Sequence, residues 1–142
     1  MAARTGLTSM IQGHERPLIW IARSEYRRLL TSLDEIAARA PDVSRFLEAE
    51  LERAILCSDH HLPSRVVRMG TRIHFRRDDD APLEWGLLCY PDRTAPQEGR
   101  IAIGSPLGAA LLGLREGAAM PYRDEEGCER LLRVERVVPL QA

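Results

Sequence analysis

The sequence predicts an α+β chain: an N-terminal antiparallel helical hairpin, in effect a short coiled coil, followed by a C-terminal antiparallel β domain that carries one short helix. Three observations carry this. Apolar residues recur every three or four positions from Tyr26 to Ile55, and beyond Pro63 the recurrence changes to every second position. Pro41 splits the helical stretch in two. The change of period places a division near Asp59, with residues 1–16 as a loose tail, 17–58 as the hairpin and 59–142 as the β domain.

The tail mixes Gly6, Gly13, Thr5, Thr8 and Ser9 with charges and shows little periodicity. Leu18–Ile21 forms a short apolar run that reads as an extended lead into Ser24, a candidate N-cap. Tyr26, Leu29, Leu30, Leu33, Ile36, Ala37 and Ala40 then form one helical stripe, opposed by Arg27, Arg28, Ser32, Asp34, Glu35 and Arg39. Pro41 ends it, because proline cannot donate and disfavours helix in the residue before it. Asp42 or Ser44 can cap the second helix, striped by Val43, Phe46, Leu47, Leu51, Ala54 and Ile55. So short a link folds the helices back on each other, and about four turns each make a hairpin about 20–25 Å long at 1.5 Å per residue.

Strands are expected at Val66–Met69 and Arg72–Arg76, with Gly70 as a bulge or bend, then at Leu83–Tyr90, Arg100–Ile103, Ala118–Tyr122 and Leu131–Val138. Turns fall at Arg77–Pro82, at Pro91–Gly99 and at Asp124–Gly127.

With Lys plus Arg at 20 and Asp plus Glu at 21, the chain has no cationic surplus for strong independent nucleic-acid binding, so a protein partner fits better. No apolar run approaches the roughly 20 residues that span a bilayer, and no signal-peptide core opens the chain, which together predict a cytoplasmic protein without membrane contact. Nothing in the sequence demands more than a monomer. Cys57, Cys89 and Cys128 are odd in number and widely spaced, which argues for reduced, mostly buried thiols over disulfides or a thiolate zinc site. Cys57, Asp59, His60 and His61 cluster, yet zinc wants four ligands and no second group stands at a suitable spacing. The expectation is a chain with no metal, no cofactor and no catalytic residues.

Gly104–Gly117 is the most heavily punctuated segment. Ser105 supplies a capping oxygen, Pro106 takes the first helical position, and Gly113 can adopt the left-handed closing geometry. Its wording, Ser105-Pro106 followed by Ala110-Leu111 and Gly113 and then Gly117, resembles the C-terminal domain of the Gre transcript-cleavage factors. The likeness is greater to the short-hairpin branch of that family, the nucleoside diphosphate kinase regulators. It extends to Ala49–Ala54 leading into Cys57-Ser58, to Val66–Met69 with Arg72 and Phe75, and to Leu88, Tyr90 and Pro91, covering residue 17 to the end.

The resemblance implies an FKBP-like C-terminal domain that docks on the rim of the RNA polymerase secondary channel, with Ser105, Pro106 and Leu107 as interface residues. Where Gre factors carry Asn or Asp before the Ser-Pro pair, this chain has Gly104, which removes one expected contact. In Gre factors a long coiled coil presents acids that help hold a catalytic metal; a hairpin of 20–25 Å gives about half that reach. Asp34, Glu35 and Asp42 stand near the hairpin tip, where a metal-assisting role competes with the plainer and favoured reading of a solvated face plus an N-cap. The function so implied is a polymerase-binding regulator that competes with Gre-type factors and does not stimulate cleavage. Two alternatives are direct binding of nucleoside diphosphate kinase, which the branch name suggests, and peptidyl-prolyl isomerisation. The second needs an aromatic pocket, and that half of the chain holds only Phe75, Trp85, Tyr90 and Tyr122.

Overall fold

Residues 15–91 and 99–139 are described by a computed structural model. The loose tail expected over 1–16 lies outside these residues but for its last two. A strand β1 (Trp20–Ala22) runs directly into helix α1 (Arg23–Arg39), Ala40 alone links it to α2 (Pro41–Arg53), and β2 (Ile55–Cys57) follows. β1 and β2 pair in parallel, Trp20 beside Ile55 and Ala22 beside Cys57, which clamps the open end of the hairpin. The helices, 17 and 13 residues long, extend about 25 and 20 Å.

Neither expected N-cap operates as such. The cap of α1 is Ala22, and that of α2 is Ala40 with Pro41 at the first helical position. Ser24 instead donates to Asp59 Oδ1 at 2.9 Å, and Ser44 donates to the Leu33 carbonyl at 2.9 Å, tying the two helices together. Asp42 pairs with Arg45 on its own helix. Ser24 and Ser44 spend their hydrogen bonds on tertiary partners, and Asp42 on a neighbour one turn along, each in place of local capping.

A 3₁₀ turn (Asp59–His61) leads into the sheet: β3 (Arg72–Arg76), β4 (Glu84–Cys89), β5 (Arg100–Ala102), helix α3 (Pro106–Leu111), β6 (Ala119–Arg123) and β7 (Glu129–Val138). The strand order is β5-β4-β3-β7-β6. Three pairings are antiparallel as expected, while β4 and β5 run parallel. A parallel neighbour requires the chain to return to the same end of the sheet, a long-range requirement that strand alternation does not encode. The segment expected as a strand at Val66–Met69 makes only a bridge from Val66 to Arg115, with Val67 bonded to Gly113 and Leu114. Opposite the step from His74 to Phe75, β7 carries one extra residue, Glu135, and this bulge bends β7 against β3.

Hairpin and sheet share one hydrophobic cluster. Leu29, Ile36, Leu47 and Leu51 of the helices meet Ile73, Phe75, Leu88, Met120, Leu132, Val134 and Val137 of the sheet, with α3 contributing Leu107, Ala109, Ala110 and Leu111. Polar ties reinforce the seam. Glu25 Oε2 accepts from Arg68 Nε at 2.9 Å and from its Nη2 at 2.6 Å, and the Arg28 guanidinium lies 3.8 Å from the centre of the Tyr90 ring. The hairpin therefore lies along the sheet half. Cys57 and Cys89 are half-buried and Cys128 is exposed, so the expectation of mostly buried thiols gives way: the first two stand at the ends of β2 and β4, and the third lies in the β6–β7 connection. No helix among the described residues is long and apolar enough to cross a membrane.

Candidate functional site

Ser105 begins the site. Its Oγ donates to the Ala102 carbonyl at 2.8 Å and accepts from Gly108 N at 3.0 Å, so the hydroxyl is engaged in capping α3, while its residue and Pro106 remain half-exposed. The close wrap requires glycine at 108, where an added Cβ would stand 2.0 Å from the Ala102 carbonyl oxygen. Gly113, at φ +80°, turns the chain beyond the helix and donates to the Val67 carbonyl. Leu107 points the other way. At 8% exposure it belongs to the core, so the reachable start of the segment consists of Ser105 and Pro106.

Two other elements face this start across a cleft of about 810 Å³. One is the hairpin turn, with Pro41, Asp42, Val43 and Phe46; the other is the β6–β7 turn from Tyr122 to Gly127. That second turn is built around Asp124. Its Oδ1 accepts from the backbone N–H groups of Glu126 (3.0 Å) and Cys128 (2.9 Å), and its Oδ2 accepts from Arg130 Nε at 2.9 Å. The Arg130 guanidinium, then the Cys128 and Glu126 amides, hold the Asp124 carboxyl below the usual range against a smaller upward push from burial.

Gly104 occupies the place where a side chain would reach toward the hairpin: a Cβ there would lie 3.3 Å from Ile36 Cγ1. Tyr122 forms the inner wall, 6% exposed, with a buried hydroxyl that has no hydrogen-bond partner among the described residues. Burial raises its pKa, Asp124 and Glu84 add to the rise, and Arg77 and Arg130 oppose it. The cleft thus has apolar walls from Val43, Phe46 and Pro106 and a rim holding Asp42, Asp124 and Glu125 against Arg123.

Of the residues singled out in the sequence, Ser105, Pro106 and Asp42 come together on this cleft. Asp34 and Glu35 are exposed on α1 and do not line it. Among the described residues no group of three His, Cys, Asp or Glu side chains is placed to hold a metal ion. Asp59 is engaged by Ser24 and Arg68 and so serves the seam between hairpin and sheet, while His61 Nδ1 lies 2.7 Å from Ser58 Oγ within the same turn. Sequence reading missed Phe46, Tyr122, Arg123 and Glu125. Phe46 reads as one more residue of an apolar stripe, and no local signal brings the β6–β7 turn to the hairpin.

Residues 62–138 match the family model for the C-terminal part of the transcription elongation factors GreA and GreB. The chain belongs to the GreA/GreB family. This family member is 33% identical over 119 residues to an Escherichia coli K12 protein named regulator of nucleoside diphosphate kinase, covering 84% of this chain and 88% of that one. It is 37% identical over 87 residues to transcription elongation factor GreA of Chloroflexus aurantiacus, covering 61% of this chain and 55% of that one. A solved GreA/GreB-type elongation factor from Nitrosomonas europaea superposes with a TM-score of 0.67 at 29% identity, over 87% of this chain and the whole of that one. The region matched by the family model contains Ser105 and Pro106 and the β6–β7 turn, whereas the hairpin side of the cleft lies outside it.

Proposed function

We propose that this GreA/GreB family member is a monomeric, cytoplasmic regulator that binds RNA polymerase near its secondary channel, competes there with longer Gre-type factors, and does not stimulate transcript cleavage. The observation that carries the reading is the cleft in which Ser105 and Pro106 face the hairpin turn. It offers a partner an apolar floor with an acidic rim at the position where the family segment begins. The FKBP-like character implied for the sheet half belongs to the same proposal, and a six-residue helix packed on one face of a five-stranded sheet supports it.

Two features argue for docking without cleavage. The hairpin spans only about 25 Å, and its turn is packed beside Gly104–Pro106, so its carboxylates do not project from the molecule as a probe. Asp42 is engaged with Arg45, and Asp34 and Glu35 stand apart from the cleft. The name of the E. coli relative favours a second reading, direct binding of nucleoside diphosphate kinase.

Co-purification with core polymerase separates them. The protein is expected to bind polymerase, and Pro106→Arg is expected to weaken binding at least about tenfold, a loss of about 1.4 kcal/mol, while melting as wild type. Binding that survives Pro106→Arg in a folded variant removes the proposed interface, and recovery of the kinase without polymerase favours the second reading. In a backtracked complex the protein is expected to leave the cleavage rate unchanged; restored cleavage would refute the short-hairpin argument.

A further inference from the structure

The docking cleft leaves the outer face of the sheet free. Alternation along β3 sends Ile73 and Phe75 into the core, so Arg72, His74 and Arg76 face outward. The register then sets their neighbours. Arg136, His74 and Trp85 lie side by side across β7, β3 and β4, and Val138, Arg72, Leu87 and Arg100 form the next row across β7, β3, β4 and β5. With strands about 4.8 Å apart and rows about 7 Å apart, these residues cover a flat area of about 14 by 7 Å.

Charge on this area is one-sided. Arg72, Arg100 and Arg136 are exposed, and none has a carboxylate partner among the described residues. The nearby acids are taken: Glu135 at the bulge pairs with Arg76 at 3.2 Å, and Asp79 pairs with Arg133 at 3.3 Å. Trp85 is 48% exposed, and the Arg72 guanidinium sits 4.4 Å from its ring centre. A net charge of −1 for the whole chain conceals this separation, because the acids concentrate elsewhere, including the rim of the docking cleft.

We propose that this face binds single-stranded RNA. The proposal goes beyond polymerase docking and rests on the transcription reading only for the choice of RNA over DNA. Three guanidinium groups on a rigid pleat, with no carboxylate partner among the described residues, match a phosphodiester backbone, to which arginine bonds in a bidentate way. The Arg72 guanidinium, held in place by Trp85, offers a plane on which an unpaired base can continue the stack. A flat face suits a splayed single strand, whereas a duplex groove is read by a protruding helix or ribbon. Three phosphate contacts give modest affinity, on the order of 10 µM at low salt, and a slope of log K against log salt of about −2.

Fluorescence anisotropy with a short, labelled, unstructured RNA tests this in the full chain, between about 50 and 200 mM salt. Arg100→Glu/Arg136→Glu is expected to weaken binding at least about tenfold and to flatten the salt slope, with an unchanged melting curve. Arg27→Glu/Arg39→Glu makes the same change of net charge on the exposed side of α1 and is expected to bind RNA within about twofold of wild type. Equal loss in both pairs reduces the effect to net charge and overturns the proposal. So do tighter binding of single-stranded DNA of the same sequence, a preference for duplex, or competition by a polyglutamate peptide as effective as that by unlabelled RNA. Arg100→Glu/Arg136→Glu is expected to co-purify with polymerase as wild type does, so the failure of one reading is visible apart from the other.

Discussion

Two glycines in the α3 segment show how differently a missing side chain can matter. At Gly108 a Cβ would meet the Ala102 carbonyl oxygen at 2.0 Å, a backbone atom that moves only if β5 moves. At Gly104 the neighbour is a side-chain methylene of Ile36 at 3.3 Å, which yields by a small rotation. Gly108→Ala is therefore expected to cost about 2–3 kcal/mol, and Gly104→Ala less than about 1 kcal/mol. In a thermal melt the first corresponds to a loss of roughly 6–12 °C. Similar melting temperatures for the two variants would show that β5 gives way easily. The contrast comes down to what each position faces in this chain, a flexible side chain at 104 and a fixed carbonyl at 108.

At the scale of elements, signals of short range were legible and pairings of long range were not. Helical periodicity, Pro41 between the helices, and the Ser105-Pro106 start with Gly113 beyond the end all act within a few residues, and all were readable. The β1–β2 pair and the parallel β4–β5 pair depend on segments brought together by the rest of the chain. For the same reason Ser105, Pro106 and Asp42 could be named singly, while the cleft that unites them could not. The β6–β7 turn, the third wall, lends itself to a pH test. Asp124 has a lowered carboxyl pKa in the folded state, set first by Arg130 and then by the Cys128 amide. A depressed folded pKa contributes stability above the unfolded value, about 3.9, and that contribution is lost as pH falls through and below it. Asp124→Ala is expected to melt below wild type at pH 7, with the gap narrowing below about pH 4. A gap that stays constant with pH would assign the role of Asp124 to turn geometry alone.

For the whole molecule, the shared core governs how the parts come apart. A hairpin tethered to an independent sheet would unfold by itself, because two short helices bury little surface between them. Here Leu29, Ile36, Leu47 and Leu51 are each no more than 3% exposed and join the same cluster as Phe75, Leu88 and Val134. At the open end of the hairpin, buried Glu50 is held by two bonds from Arg53 and one from Arg16, while Arg53 also donates to the Pro17 carbonyl. The Glu25–Arg68 pair fastens α1 to the loop before β3. Hairpin and sheet are therefore expected to melt as one two-state unit. Leu47→Ala, in the hairpin, tests this, with an expected cost of about 2–5 kcal/mol. Far-UV circular dichroism reports chiefly on the helices, and Trp85 emission in a Trp20→Phe background reports on the sheet. Both midpoints are expected to fall together in Leu47→Ala. If the helical transition drops while the Trp85 transition stays in place, the hairpin is a separate unit, and the cleft between them would open without unfolding the sheet.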